Sequence, residues 1–174
     1  MRLQICLGTF LVMLVSVAIG TKVTPQSGSQ KAKKSAAPAT CPVTIGRKAP
    51  SEAQGLFGAG SAHWNGRLYV GGLWPNGVIV FQPGGPGSIE PDGSLGMKFG
   101  LRAEGLRGKL TIHGRRLDAP APPLRASIPD GYGDTGFQAT GVIFPTEGCW
   151  EVTGAVGETN VTFVTRVIRI GERE

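Results

Sequence analysis

The chain has 174 residues, room for one ordinary domain, and its 28 glycines and 13 prolines leave no convincing amphipathic helix in the body. The formal net charge of +6 is unevenly placed: of 18 Lys and Arg, Arg2, Lys22, Lys31, Lys33 and Lys34 precede Cys41, leaving 13 basic against 12 acidic residues beyond it. The body is therefore nearly neutral, which excludes a basic nucleic-acid-binding face.

Residues 1–20 read as a secretory signal peptide. Arg2 is followed by an uncharged apolar run, Leu3 to Ile19, and Ala18-Ile19-Gly20 supplies small residues for cleavage before Thr21. The alternative is a retained membrane anchor, since the run is close to the roughly 18 residues that make a spanning candidate. Residues 21–40 are rich in Lys, Ser, Ala, Gln and Pro and have almost nothing to bury, so a disordered basic linker is expected. Its lysines have no acidic neighbour. They suit either a solvated spacer or contact with anionic lipid or cell-wall polymer. Removal of the leader, with Cys6, leaves Cys41 and Cys149. In an oxidising compartment such a pair is most simply a disulfide. The rival reading, a reactive thiol, needs a base that no local motif supplies.

From residue 41 to 174 the pattern is of short strands broken by Gly and Pro. Cys41–Ile45 is expected as an edge strand and Arg47–Gln54 as loop. Arg67–Trp74 reads as a strand after an Asn65-Gly66 turn, and Val78–Phe81 as its return after Pro75-Asn76-Gly77. Gly84-Gly85-Pro86-Gly87 is a breaker without the lysine of a phosphate loop. Leu95, Met97, Phe99 and Leu101 alternate with Gly96, Lys98 and Gly100, which puts four apolar side chains on one face. Leu110 and Ile112 repeat the alternation. The prolines of Ala119–Pro123 make an extended edge crossing, and Leu124–Ile128 can form a strand. Gly136–Phe144 and Val161–Ile170 are further strands. A corner at Pro145–Gly148 leads into Cys149-Trp150-Glu151-Val152-Thr153. There Trp150 and Val152 share one face, so a Cys149 disulfide lies outside the core if Trp150 lies inside it. The expected fold is an all-β, immunoglobulin-like β-sandwich of about seven or more antiparallel strands.

Two stretches carry a resemblance. Gly114-Arg115-Arg116-Leu117-Asp118-Ala119-Pro120 and Phe144-Pro145-Thr146-Glu147-Gly148-Cys149-Trp150-Glu151 resemble stretches in a group of uncharacterised exported bacterial proteins. The corner also resembles the penultimate-strand corner of many immunoglobulin-like modules. The likeness implies an exported bacterial protein and this fold class. That group has no settled activity to carry over.

Candidate chemistry is sparse. His63 and His113 are the only histidines and stand outside any metal-ligating spacing. No Gly-x-Ser-x-Gly elbow occurs. Asp130 and Asp134 suit calcium or an Asx-turn loop. Asn160-Val161-Thr162 is a formal glycosylation site, taken as chance in a bacterial protein. Candidate ligand-binding residues are Trp74, Tyr132, Trp64, Arg115 and Arg116: aromatics suit sugar rings or a protein partner, and the arginines an anion, if they are not held in the core or in an internal Arg–Asp pair. The sequence therefore points to a periplasmic or extracellular, non-enzymatic module binding an envelope protein or glycan, or serving structurally, with no cofactor and no nucleic-acid partner. Membrane contact would come only through a retained leader or the basic linker. The alternative is a small extracytoplasmic hydrolase or metal-dependent enzyme that joins His63 or His113 to nearby carboxylates.

Overall fold

The protein is described by a computed structural model over residues 40–50, 61–74 and 76–171. The expected leader at 1–20 and all but the last residue of the expected linker lie outside the described residues. Every regular element described is a strand: β1 Arg47–Lys48, β2 Ser61–Asn65, β3 Leu68–Leu73, β4 Val78–Phe81, β5 Ser88–Ile89, β6 Leu95–Ala103, β7 Thr111–Arg116, β8 Arg125–Ser127, β9 Gly136–Phe144, β10 Gly148–Val156 and β11 Thr159–Arg169. They form two sheets. The larger has seven strands, in the order β1-β2-β3-β6-β9-β8, with β5 also paired to β6; the smaller has four, in the order β4-β11-β10-β7.

The period-two reading holds where one face meets the core. Leu95, Met97, Phe99 and Leu101 of β6 are all buried, and so are Trp150, Val152 and Val156 of β10. These side chains, with Phe144, Phe163 and Val167, fill the space between the sheets. Phe99 of the large sheet meets Phe163 of the small one at 5.5 Å between ring centres, and Trp150 packs edge-on to Phe144 at 5.7 Å. Trp150 also donates its indole N–H to the Thr146 carbonyl at 2.9 Å, so the corner satisfies the one polar atom the ring carries inward.

Three expectations need correction. Val78–Phe81 does not return beside β3. Both edges of β3 are taken, by β2 and β6, so β4 crosses to the small sheet and lies parallel to β11. This is the one parallel pair among the described strands, within an otherwise antiparallel fold. Arg47–Lys48, expected as loop, pairs with β2. Cys41–Ile45 has no strand of its own, but Thr44 lies on the β11 edge: its amide donates to the Val164 carbonyl at 2.8 Å, and its hydroxyl accepts from the Val164 amide at 2.9 Å. The short β5 was not anticipated.

Cys41 and Cys149 form a disulfide with Cα atoms 5.5 Å apart. Cys149 is fully buried yet projects opposite to Trp150, away from the sandwich core. Cys41 therefore sits over β10, while Thr44 is at the far edge of β11. The segment between them crosses the outer face of the small sheet and covers the sulfurs.

The bridge closes a span of 108 residues. Its loss should lower stability by up to about 5 kcal/mol, the chain-entropy value for a loop of that length. Urea unfolding of Cys41→Ser and of the wild type, each with and without reductant, measures this. Reductant should shift only the wild type, down to the variant's midpoint.

Candidate functional site

The large sheet presents an outer face whose residues follow from register. Trp64 stands opposite Tyr69, Tyr69 opposite Arg102, and Arg102 opposite Phe137. Directly opposed residues share a face, so these four make a transverse row from β2 to β9. Tyr132 extends it, packing edge-on to Phe137 at 6.0 Å between ring centres. At the other end Arg47 lies 4.2 Å above the Trp64 ring, which also stacks on Tyr69. That end is closed: Ala49, Ala62 and Tyr69 are buried beneath Trp64 as a second small core. The Tyr132 end is open, with Tyr132 45% and Phe137 38% exposed. Arg102 is ion-paired with Glu104 between the two ends.

Along the strands, the outward positions of β6 and β9 are nearly bare. Gly96, Lys98 and Gly100 face Ile143, Gly141 and Ala139. One groove of about 570 Å³ lies over Lys98, Gly100, Ala139 and Gly141, walled by Ser127, Pro129, Tyr132 and Phe137. A second, of about 380 Å³, continues over Gly96, Lys98 and Gly141 and is walled by Pro86–Glu90. The two share Lys98 and Gly141. From Gly96 to Arg102 the floor is about 20 Å long at ~3.4 Å per residue. Lys98 is exposed at its middle, and no carboxylate pairs with it among the described residues. Glu90, at the far end, accepts from the Ser88 hydroxyl at 2.6 Å.

The candidates from sequence divide. Trp64 and Tyr132 fall on this one face, 68 positions apart in the chain. Trp74 instead packs against the sandwich core, edge-on to Phe99 at 6.5 Å. Arg115 and Arg116 belong to β7 of the small sheet. Arg115 pairs with Glu151 directly across on β10 at 2.8 Å, an exposed pair of little energetic worth. Arg116 donates to Asp118 at 2.6 Å and to the Thr146 hydroxyl at 3.1 Å. Burial works against the Asp118 carboxylate, but the hydrogen bonds from Arg116 and the Cys149 amide, with the Arg116 charge, outweigh it and hold the pKa below the usual range. Leu117 then donates its amide to the Cys149 carbonyl at 2.7 Å. The Gly-Arg-Arg-Leu-Asp stretch and the Gly-Cys-Trp-Glu corner are thus one structural clamp, beside the disulfide.

The histidines are not gathered. His63, on the inward side of β2, hydrogen-bonds the Thr162 backbone of β11, whereas His113 is exposed on β7, two strands from β11. Two strand spacings are about 10 Å. Among the described residues no group of three or more His, Cys, Asp or Glu is arranged to hold a metal. Asp130 and Asp134 are exposed on the loop that carries Tyr132, and Asn160 is exposed near the start of β11.

Sequence reasoning missed Lys98, Phe137 and the bare floor. The signal was present: four outward positions of β6 and β9, Gly96, Gly100, Ala139 and Gly141, are glycine or alanine where a solvent-facing strand favours polar residues.

No protein-family model matches the chain, and no curated protein matches it.

The clamp and His63 each give a prediction. A Cβ at Gly148, whose φ is +140°, would lie 2.8 Å from Asp118 Oδ1 and closer still to Arg116 Nε. Gly148→Ala should therefore destabilise by about 2 kcal/mol or more, read from urea midpoints. Burial lowers the His63 pKa from 6.5; Arg47 adds to this and the Thr162 hydrogen bond opposes it. The unfolded chain thus takes up the proton first as pH drops below 6.5. The contribution of neutral His63 is complete above that value and is lost as pH falls through the folded pKa. Urea midpoints taken from about pH 8 to pH 5 should fall less for His63→Gln than for the wild type; parallel curves would remove His63 from the acid sensitivity.

Proposed function

We propose that the protein is an exported, non-catalytic β-sandwich module of the bacterial cell envelope, and that it binds an envelope protein or glycan through the outer face of its large sheet. The groove carries this reading: a floor of glycine and alanine, two walls, and an exposed Tyr132–Phe137 pair at one end. Apolar rings left in water next to a bare lane cost solvation that a ligand recovers. Support for export comes from the leader-like first 20 residues and from a disulfide that a reducing compartment would not maintain. The resemblance to exported bacterial proteins agrees with it.

Gly141 gives the sharpest test. A Cβ there meets nothing nearer than Ser127, at 4.0 Å, so a larger side chain fits the strand but fills the groove. Gly141→Val should fold as well as the wild type, because a β-branched residue suits a strand. Purified wild type should be retained on isolated cell-wall polymer or on immobilised envelope protein, and Gly141→Val and Tyr132→Ala should lose about tenfold or more in affinity. Retention unchanged in both variants, with matching thermal melts, would move the ligand surface elsewhere; no retention on either material would remove the binding role.

A further inference from the structure

We infer that the groove takes an extended glycan bearing carboxylates, one of which pairs with Lys98; this rests on the binding role proposed above. Three observations select that chemistry. First, the floor is the face of a sheet. β6 is paired to β9 at nine positions along one edge and, along the other, to β5 at Leu95–Gly96 and to β3 at Gly100–Ala103, and strand N–H and C=O groups lie in the plane of the sheet rather than across its face. A peptide laid on this face would bury its own amides without partners, which is why peptide strands add to sheet edges instead. A pyranose ring differs: it has a flat C–H face for aromatic rings and for glycine backbone, and it carries its hydroxyls at the rim.

Second, the side chains suit such a ring. Tyr132 and Phe137 offer exposed apolar surface at one end, and Ser127 and Ser88 place hydroxyls on opposite walls. Third, the charge is complementary to an acid. Lys98 is the one ionisable cation among the residues lining the grooves, it sits where they join, and no carboxylate neutralises it among the described residues. Glu90 is the one carboxylate in the lining, and it is engaged by Ser88 at the far end. The Lys98 position is fixed in register with the aromatic pair, since both line the same groove.

Calorimetric titration of the purified protein with hexagalacturonate, and with its fully methyl-esterified form, separates charge from ring. The acid should bind about tenfold more tightly than the ester, the worth of one charge-assisted hydrogen bond. Lys98→Ala should abolish that difference and leave ester binding unchanged. Tyr132→Ala should weaken both ligands. Both side chains are exposed, so thermal melts should coincide with the wild type. Equal binding of acid and ester, acid binding that survives Lys98→Ala, or no binding of either would overturn the inference. So would an acidic hexapeptide that binds with the same Lys98 and Tyr132 dependence, since it would give the groove to a protein partner. Failure here, alongside Gly141-sensitive retention on envelope material, would dismiss the ligand class but keep the groove as the binding surface; loss of that sensitivity as well would dismiss both.

Discussion

The fold depends on how the second edge of β11 is closed. One edge is bonded to β10 over nine consecutive pairs, the product of a short turn and local sequence. The other edge exposes the backbone groups of alternate residues from Asn160 to Ile170, and no single strand covers it. Asn65 donates its side-chain amide to the Asn160 carbonyl, His63 reaches the Thr162 backbone, and Thr44 takes both groups of Val164. The Gly77 carbonyl accepts from Arg166, β4 runs alongside from there, and the Phe81 carbonyl accepts from Ile170. Segments 80 to 120 residues away in sequence thus converge on one row of donors and acceptors. An unclosed edge inside a sandwich would leave those groups without partners or open to another chain. The disulfide acts on this constraint, because it holds Cys41 three residues from Thr44 and removes most of the loop-closure entropy that the Thr44–Val164 contact would otherwise face.

That constraint explains which parts of the structure were legible in the sequence. Strands with one face in the core announce themselves through alternation, so Leu95–Leu101 and Gly136–Phe144 were found with nearly their true bounds. The disulfide and its place outside the core followed from cysteine counting and from the opposite phase of Trp150. Sheet membership was not legible. Whether Val78–Phe81 turns back on β3 or crosses to the other sheet depends on which edges are already occupied, a fact held by residues far along the chain. Strand β1 and strand β5 have two residues each, too few for any period to show.

The Gly-Arg-Arg-Leu-Asp stretch and the Gly-Cys-Trp-Glu corner were legible as motifs, and of their roles only the Arg–Asp pairing was legible. Arg116, read either as an anion receptor or as half of an internal Arg–Asp pair, forms the pair. It is engaged by Asp118 and Thr146, against a glycine that no side chain could replace without displacing them. Gly114 is equally constrained: a Cβ there would meet the Glu151 carbonyl at 2.5 Å and the Leu124 side chain closer still. The motif residues hold β7, the corner and the disulfide together. Their contacts account for architecture and carry no information about a ligand.

Gly141, on the large sheet's outer face, calls for a different explanation. Gly114, Gly148 and Gly154 are each hemmed in by neighbours, and packing accounts for them. Gly141 is not: its φ lies outside the left-handed range and the nearest atoms to a Cβ are 4.0 Å away. Glycine inside a strand costs about 0.5–1 kcal/mol relative to alanine through lost chain entropy. At Gly141 nothing in the fold offsets that cost. The bare position opens the floor between Lys98 and the aromatic wall, a vacancy that stabilises nothing until something lies in it. The outer face of the small sheet has no counterpart. There the Cys41 segment crosses β11, Arg115 pairs with Glu151, and the Thr153 and Thr162 hydroxyls bond each other at 2.8 Å. One sheet spends its outer face on closing the fold, and the other leaves its middle strands uncovered.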